Sequence, residues 1–280
     1  MDLLHPVSDQ APADPFSWRQ SGVISSDDWA DVPSAFRAGS TLPPPWAALF
    51  GPLQAGTTDE LMVIGQIGQS IDGRVATVGG RHEFINGSAG LAHLHRLRAL
   101  VDAVVIGIGT ALADDPLLTV RRVTGPNPAR VVIDPRGRLP ATARLLVDDG
   151  ARRLVVTESS ALPDWPPRVE RLVLPAEGGC IDPGNILAAL AEQGFRRFLI
   201  EGGADTLSRF LAAQCLDRLH IVVAPVILGS GRASCTLAAI AHADHAIRPQ
   251  VRSYPLGDEV LFDCDLSRQR RPLGYAKKSV

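Results

Sequence analysis

Short apolar runs rich in β-branched residues recur along this chain, with helix-patterned stretches between them. Ala103-Val104-Val105-Ile106 is the clearest run. Leu61 to Ile67, Arg130 to Asp134, Arg153 to Thr157, Phe198 to Ile200 and Leu219 to Pro225 repeat the theme, and Arg171 to Leu174 is a shorter version. A strand that is apolar at consecutive positions has both of its faces covered. Between the runs, apolar residues return at helical spacing, as Leu91, Leu94, Leu97 and Val101 do from Ser88 to Leu100. Strands that alternate with helices pair in parallel, because each crossover carries the chain back along one face of the sheet. The expected fold is a three-layer α/β/α sandwich with a mixed, largely parallel sheet.

Punctuation places the remaining elements. Asn86-Gly87-Ser88 reads as a turn and helix start. Asp182-Pro183 opens a helix that Gly194 closes. Ala204 to Ala213 reads as a helix and Val260 to Asp265 as the last strand. Residues 1–56 differ in kind. They hold Pro43-Pro44-Pro45 and three of the four tryptophans, Trp18, Trp29 and Trp46. Disordered segments are poor in aromatics, so this arm is expected to form helical turns, around Asp28 to Arg37 and Pro45 to Phe50, and to lie on the main domain or on a partner subunit. The main domain is placed at 57–267, followed by a solvated basic tail at 268–280.

Composition excludes several classes. A net charge of −2 with no basic stripe gives nucleic acid nothing to hold. The longest apolar stretch, Ala103 to Ala113, is short and broken by glycine, so no membrane partner is expected. Cys180, Cys215, Cys235 and Cys264 are far apart with no C-x-x-C, and the start lacks a signal-peptide pattern. A reduced, cytoplasmic setting is expected.

Two stretches carry candidate chemistry. Asp102 to Arg121 reads as strand, glycine turn, short acidic helix, extended piece, arginine. Gly107 and Gly109 let the backbone turn, Thr110 is placed as helix N-cap, and Pro116 follows Asp114-Asp115. Such a layout puts small and polar groups at the carboxyl end of a strand, where open sheets hold ligands. Ile200-Glu201-Gly202-Gly203-Ala204-Asp205-Thr206-Leu207 is a second strand-to-helix junction, whose backbone N–H groups suit an anion. Arg98 and Arg121 are candidates for gripping phosphate, while Arg96 reads as a surface charge. No zinc-deaminase motif, nucleophile elbow or P-loop occurs. His93 and His95 are two apart on a helix and do not share a face, so no metal site is expected.

Five ordered blocks then resemble one family: S-I-D-G-R (Ser70 to Arg74), the long block from Leu97 to Arg121, R-V-V-I-D (Arg130 to Asp134), I-E-G-G (Ile200 to Gly203) and A-P-V-I-L-G (Ala224 to Gly229). Over residues 60–265 the chain resembles the C-terminal reductase domain of riboflavin biosynthesis, which has a dihydrofolate-reductase-like fold. The resemblance implies an NADPH-dependent oxidoreductase that converts a ribosylaminopyrimidine phosphate to its ribitylamino form, by hydride delivery to C1 of an opened, imine-like sugar. Carried to matching positions, it implies NADPH at Gly68, Phe84, Thr110, Asp114, Gly202, Gly203, Ala204, Asp205, Thr206 and Leu207. It implies substrate at His82, Arg98, Leu118, Arg121 and Glu201, with Asp114 or Glu201 assisting proton transfer. Gln66 stands where bifunctional members usually have lysine, and His82 where serine is common. A homodimer is implied, as is a separate deaminase, since the family is often fused to one. The alternatives are reduction of another heterocycle, such as a pterin, and a non-catalytic nucleotide-binding homologue.

Overall fold

The apolar runs pair into a ten-stranded sheet flanked by helices. The computed structural model describes residues 18–20, 29–54, 58–79, 85–158 and 164–273. In chain order the elements are β1 (Trp18–Gln20), α1 (Val32–Arg37), α2 (Trp46–Gln54), β2 (Met62–Ser70), β3 (Arg74–Thr77), α3 (Ser88–Leu100), β4 (Ala103–Gly107) and α4 (Ile108–Asp114). There follow β5 (Ala129–Ile133), β6 (Arg153–Thr157), β7 (Val169–Val173), β8 (Ala176–Glu177), β9 (Cys180–Ile181), α5 (Pro183–Glu192), β10 (Arg197–Glu201), α6 (Ala204–Ala212), β11 (Arg218–Ala224), β12 (Gly231–Ala233), β13 (Gln250–Leu256) and β14 (Glu259–Asp265). The sheet order is β1-β13-β14-β11-β2-β10-β4-β5-β6-β7. Every pairing in it is parallel except the two made by β14.

Side chains of the central strands divide between two cores. Met62 and Ile64 of β2, Val104 and Ile106 of β4 and Leu199 of β10 face α1 to α4. Val63, Ile67, Val105, Phe198 and Ile200 face α5 and α6. Helix α5 starts as its sequence predicts, with Asp182 accepting from the Asn185 N–H at 3.0 Å. Helix α3 starts differently. No side chain of its own caps it; Glu259, the first residue of β14, accepts from the N–H groups of Gly87 (3.0 Å) and Gly90 (2.7 Å) and from Asn86 Nδ2 (2.7 Å). A carboxylate at this helix end suits both the open donors and the dipole.

The arm packs on the outer side of α3. Trp29 meets Trp46 edge-on (5.2 Å), Trp46 stacks on Phe50 (5.7 Å), Phe50 on His93 (5.8 Å) and His93 on His220 (5.1 Å). Trp29 Nε1 donates to Thr124 O at 2.7 Å. Arg96 belongs to this cluster rather than to the surface: it is 7% exposed, its guanidinium 4.8 Å from the Trp46 ring centre and 5.6 Å from that of Trp29. Its cationic head is held by aromatic faces, partners some fifty or more residues away in the chain.

Three further expectations need correction, and one strand is unpredicted. Thr110 is not an N-cap; α4 begins at Ile108 with Gly107 as its cap. Leu117 to Arg121 is no strand, because Leu118 sits at φ +56°, a left-handed backbone that ends extended structure. Val260 to Asp265 has a sheet neighbour that the pattern did not predict: β13, interrupted by Pro255 and polar at Arg252 and Ser253, forms a hairpin with it. Arg270 is not solvated but buried, with Nε 3.6 Å from Asp217 Oδ2. Residues 274–280 lie outside the described residues.

Candidate active site

The carboxyl ends of β2, β10 and β4, neighbours in the sheet, open into a cavity of about 800 Å³. β10 lies between two strands that precede it in the chain, so the crevice is at a switch in strand order, where such sheets bind ligands. Two glycine turns interlock on its floor. A Cβ on Gly107 would lie 2.3 Å from Thr206 Oγ1, and one on Gly203 would lie 2.6 Å from Thr110 Oγ1. Thr110 from α4 thus fills the space above the Glu201-Gly202-Gly203 turn, and Thr206 from α6 fills the space above Gly107. Gly202 (φ +64°) and Gly203 (φ +29°) hold a backbone that side chains disfavour. At the end of β2, a Cβ on Gly68 would lie 1.5 Å from Asn86 Oδ1, so only glycine lets the turn before α3 close over this strand.

Glu201 continues the face of β10 that carries Leu199, and so points toward α3. Arg98 meets it from the helix. Nε and Nη2 of Arg98 donate to Oε1 and Oε2 of Glu201, each at 2.6 Å, and Nη1 donates to Thr119 O at 3.1 Å. Both residues are buried, 6% and 4% exposed. Leu91 and Leu94 precede Arg98 along the same stripe of α3 and line the cavity with it. Arg121 donates Nη1 to Thr119 Oγ1 (3.0 Å), and its N–H goes to His95 Nδ1 (2.9 Å). The two left-handed residues Asp115 (φ +38°) and Leu118 (φ +56°) bend the chain so that Leu118 and Arg121 reach the cavity.

Of the predicted site residues, Gly68, Arg98, Thr110, Asp114, Leu118, Arg121, Glu201, Gly202, Gly203, Ala204, Asp205 and Thr206 all line this cavity. Leu207 does not. Its side chain is buried in the core against Gly65, and its N–H is spent on Gly203 O. It lies on the apolar face of α6. His82 and Phe84 lie outside the described residues. Gln66, 7% exposed, lines the cavity beside Glu201, its partner in strand register. Residues the pattern missed include Arg138, Arg144, Arg209 and Arg232, which also line it. They come from loops, helix faces and the short strand β12, where nothing in the sequence marks an arginine as inward.

The S-I-D-G-R and A-P-V-I-L-G blocks turn out to be one structural unit. Asp72 accepts from Ser70 Oγ (2.6 Å) and from the N–H groups of Leu228 (3.1 Å) and Gly229 (2.7 Å). The Ser70 hydroxyl and these two N–H groups hold its carboxyl down to about 2. Arg74 Nε returns a bond to Gly229 O at 3.0 Å.

Electrostatics around α3 favour neutral imidazoles. Burial pushes His95 down to about 3, helped by the charges of Arg98, Arg121 and Arg122. Burial also pushes His93 well below its usual value, helped by His220 and Arg96. Its Nε2 lies 2.9 Å from His220 Nδ1, and His220 Nε2 lies 3.2 Å from Asp263 Oδ1. In the unfolded chain both titrate near 6.5. Below that pH the unfolded state binds more protons, so the stability these residues contribute is complete above 6.5 and is lost as pH falls toward 3. Urea denaturation should show a loss of up to about 2 kcal/mol from His95 at about pH 5, with His93 adding in the same direction. His95→Asn, which keeps an acceptor but does not titrate, should make the pH dependence shallower.

Among the described residues no group of histidine, cysteine or acidic side chains is placed to hold a metal, and no helix is long and apolar enough to cross a membrane. A glycine-floored crevice at a switch in strand order, with a buried guanidinium–carboxylate pair in its wall, is where an α/β protein of this build holds its ligands. The chain belongs to the RibD C-terminal domain family, whose model matches residues 62–258. It is 36% identical over 213 residues to the 2,5-diamino-6-ribosylamino-4(3H)-pyrimidinone 5′-phosphate reductase of Methanothermobacter thermautotrophicus, covering 72% of this chain and 96% of that protein. The diaminohydroxyphosphoribosylaminopyrimidine deaminase/5-amino-6-(5-phosphoribosylamino)uracil reductase of Thermotoga maritima superposes with a TM-score of 0.64 at 27% identity, covering 73% of this chain and 56% of that one. The riboflavin biosynthesis reductase Rib7 of Saccharomyces cerevisiae shares the fold, with a TM-score of 0.63 at 21% identity over 84% of this chain and 99% of that one.

Proposed function

We propose that this chain is an NADPH-dependent reductase that converts a ribosylaminopyrimidine 5′-phosphate to the ribitylamino form. The observation that carries the reading is the single cavity that joins the Gly202-Gly203 turn to the Arg98–Glu201 pair and to Arg121. The turn brings the start of α6, Gly202 to Thr206, to the cavity wall, and this fits a pyrophosphate, because the helix N-terminus offers N–H donors and partial positive charge. Gly68, Thr110, Asp114 and Ala204 to Thr206 complete the cofactor wall. When bound, the reduced nicotinamide supplies the hydride.

The protein's own part is orientation and charge. Glu201 is fixed by two bonds from Arg98, so its remaining lone pairs present acceptors in one geometry to a hydroxyl or amine of the substrate. Gln66 offers an amide, both donor and acceptor, to the heterocycle. Arg121 holds the phosphate. Asp114 is the carboxylate we assign to exchange a proton through water. A deaminase acts on compounds of the same pathway, and the enzyme is a homodimer; sedimentation would test the latter.

Arg121→Ala should raise KM for the phosphorylated substrate by about tenfold or more and leave KM for the dephosphorylated substrate nearly unchanged. Steady-state kinetics on the pair decide this. An equal effect on both would remove Arg121 from the phosphate site.

A further inference from the structure

The phosphate site has a charge imbalance once its bonds are counted. Arg98 spends Nε and Nη2 on Glu201 and Nη1 on Thr119 O, and its charge is matched by the carboxylate beside it. That leaves Arg121 alone among the predicted residues to meet a phosphate carrying close to two negative charges. Yet Arg121 is not isolated in the structure. The charges of Arg98, Arg144 and Arg122 all bear on it, with only Glu201 opposing. Of these, Arg144 lines the same cavity, whereas Arg122 does not.

Arg144 is also held in place. Its N–H donates to Asp115 Oδ1 at 2.8 Å, and its Nη1 lies 3.5 Å from Asp115 O. Asp115 itself is fixed as the left-handed cap of α4, with its N–H on Ala111 O at 3.1 Å. A non-glycine residue in that conformation is costly unless the surroundings impose it. Here the strained cap joins the loop before β6 to the segment that carries Leu118 and Arg121.

We infer that Arg144 is a second arginine of the substrate's 5′-phosphate site, paired with Arg121, and that Asp115 is the residue that positions it. The inference rests on the reading of the substrate as a ribosyl phosphate. Arg144 and Arg121 then approach the phosphate from two loops and together balance its charge, while Arg98 serves Glu201.

The test combines calorimetry and kinetics on wild type, Arg144→Ala, Arg144→Lys and Asp115→Ala. Arg144→Ala should weaken binding of ribose 5-phosphate by about tenfold or more. It should raise KM for the phosphorylated substrate far more than for the dephosphorylated one, and change NADPH affinity less than twofold. Arg144→Lys should recover part of the loss, and Asp115→Ala should reproduce part of it. A loss of NADPH affinity larger than the loss of ribose 5-phosphate affinity would assign Arg144 to the cofactor and overturn the inference. So would an equal loss on both substrates. If wild type does not distinguish the phosphorylated substrate from the dephosphorylated one, the ribosyl-phosphate reading falls, and this inference with it. If wild type distinguishes them and Arg144→Ala does so as well, the inference alone falls.

Discussion

A chain beginning at residue 57 should not fold to a cooperative, soluble state. The arm looks dispensable, because the family match begins at residue 62. Its packing says otherwise. Trp29, Val32, Phe36, Leu42, Trp46, Leu49, Phe50 and Leu53 are each 5% exposed or less and belong to the same core as the central strands. At about 1.5–3 kcal/mol for each large side chain buried, this contact rivals the entire stability of a domain, about 5–15 kcal/mol. Removing the arm would also uncover Arg96, whose aromatic partners are Trp29 and Trp46, and His93, which stacks on Phe50. Trp46→Ala, a smaller change, should cost about 3–5 kcal/mol, read from urea denaturation. A truncated chain that melts cooperatively near the full-length midpoint would show that the arm is only an accessory.

Breaking the Arg98–Glu201 pair should be the most damaging change inside the cavity. Removing either partner leaves the other charge buried and unmatched, a loss of about 3–5 kcal/mol. Arg98→Ala and Glu201→Ala should each destabilise the fold on this scale. The double variant should be more stable than the sum of the single losses predicts, because neither charge is then stranded. Arg98→Lys should not rescue activity, since an ammonium cannot make the parallel two-point contact that fixes the carboxylate. Additive single effects in the double-mutant cycle would mean that the pair is not coupled.

The legibility of this protein in its sequence follows the range of the interactions. Helix α3 and strand β6 lie where periodicity and apolar runs place them, because local patterns encode buried faces. Glycine positions 107, 202 and 203 were readable as turns, yet their reason was not. It lies in Thr206 and Thr110, each reaching across from the other turn. Arg96 read as a surface charge because its aromatic partners are in the arm. Helix α3 takes its cap from Glu259, more than 160 residues downstream. Strand β13 was missed because Pro255 and its polar neighbours obscure a strand that pairs with β14 on one side and β1 on the other. Of the candidate site, the residues near glycine turns and strand ends were found, while Arg144, held by its contacts with Asp115, had no signal of its own.

The central claim is that one cavity brings a reduced nicotinamide and a ribosylaminopyrimidine phosphate together. Oxidation of NADPH by the purified full chain, followed with the diaminopyrimidinone substrate and with its deaminated counterpart side by side, tests it most directly. The account predicts that one NADPH is consumed for each molecule reduced to the ribitylamino form, with one of the two substrates preferred. Tight NADPH binding with no oxidation in the presence of either compound would contradict it.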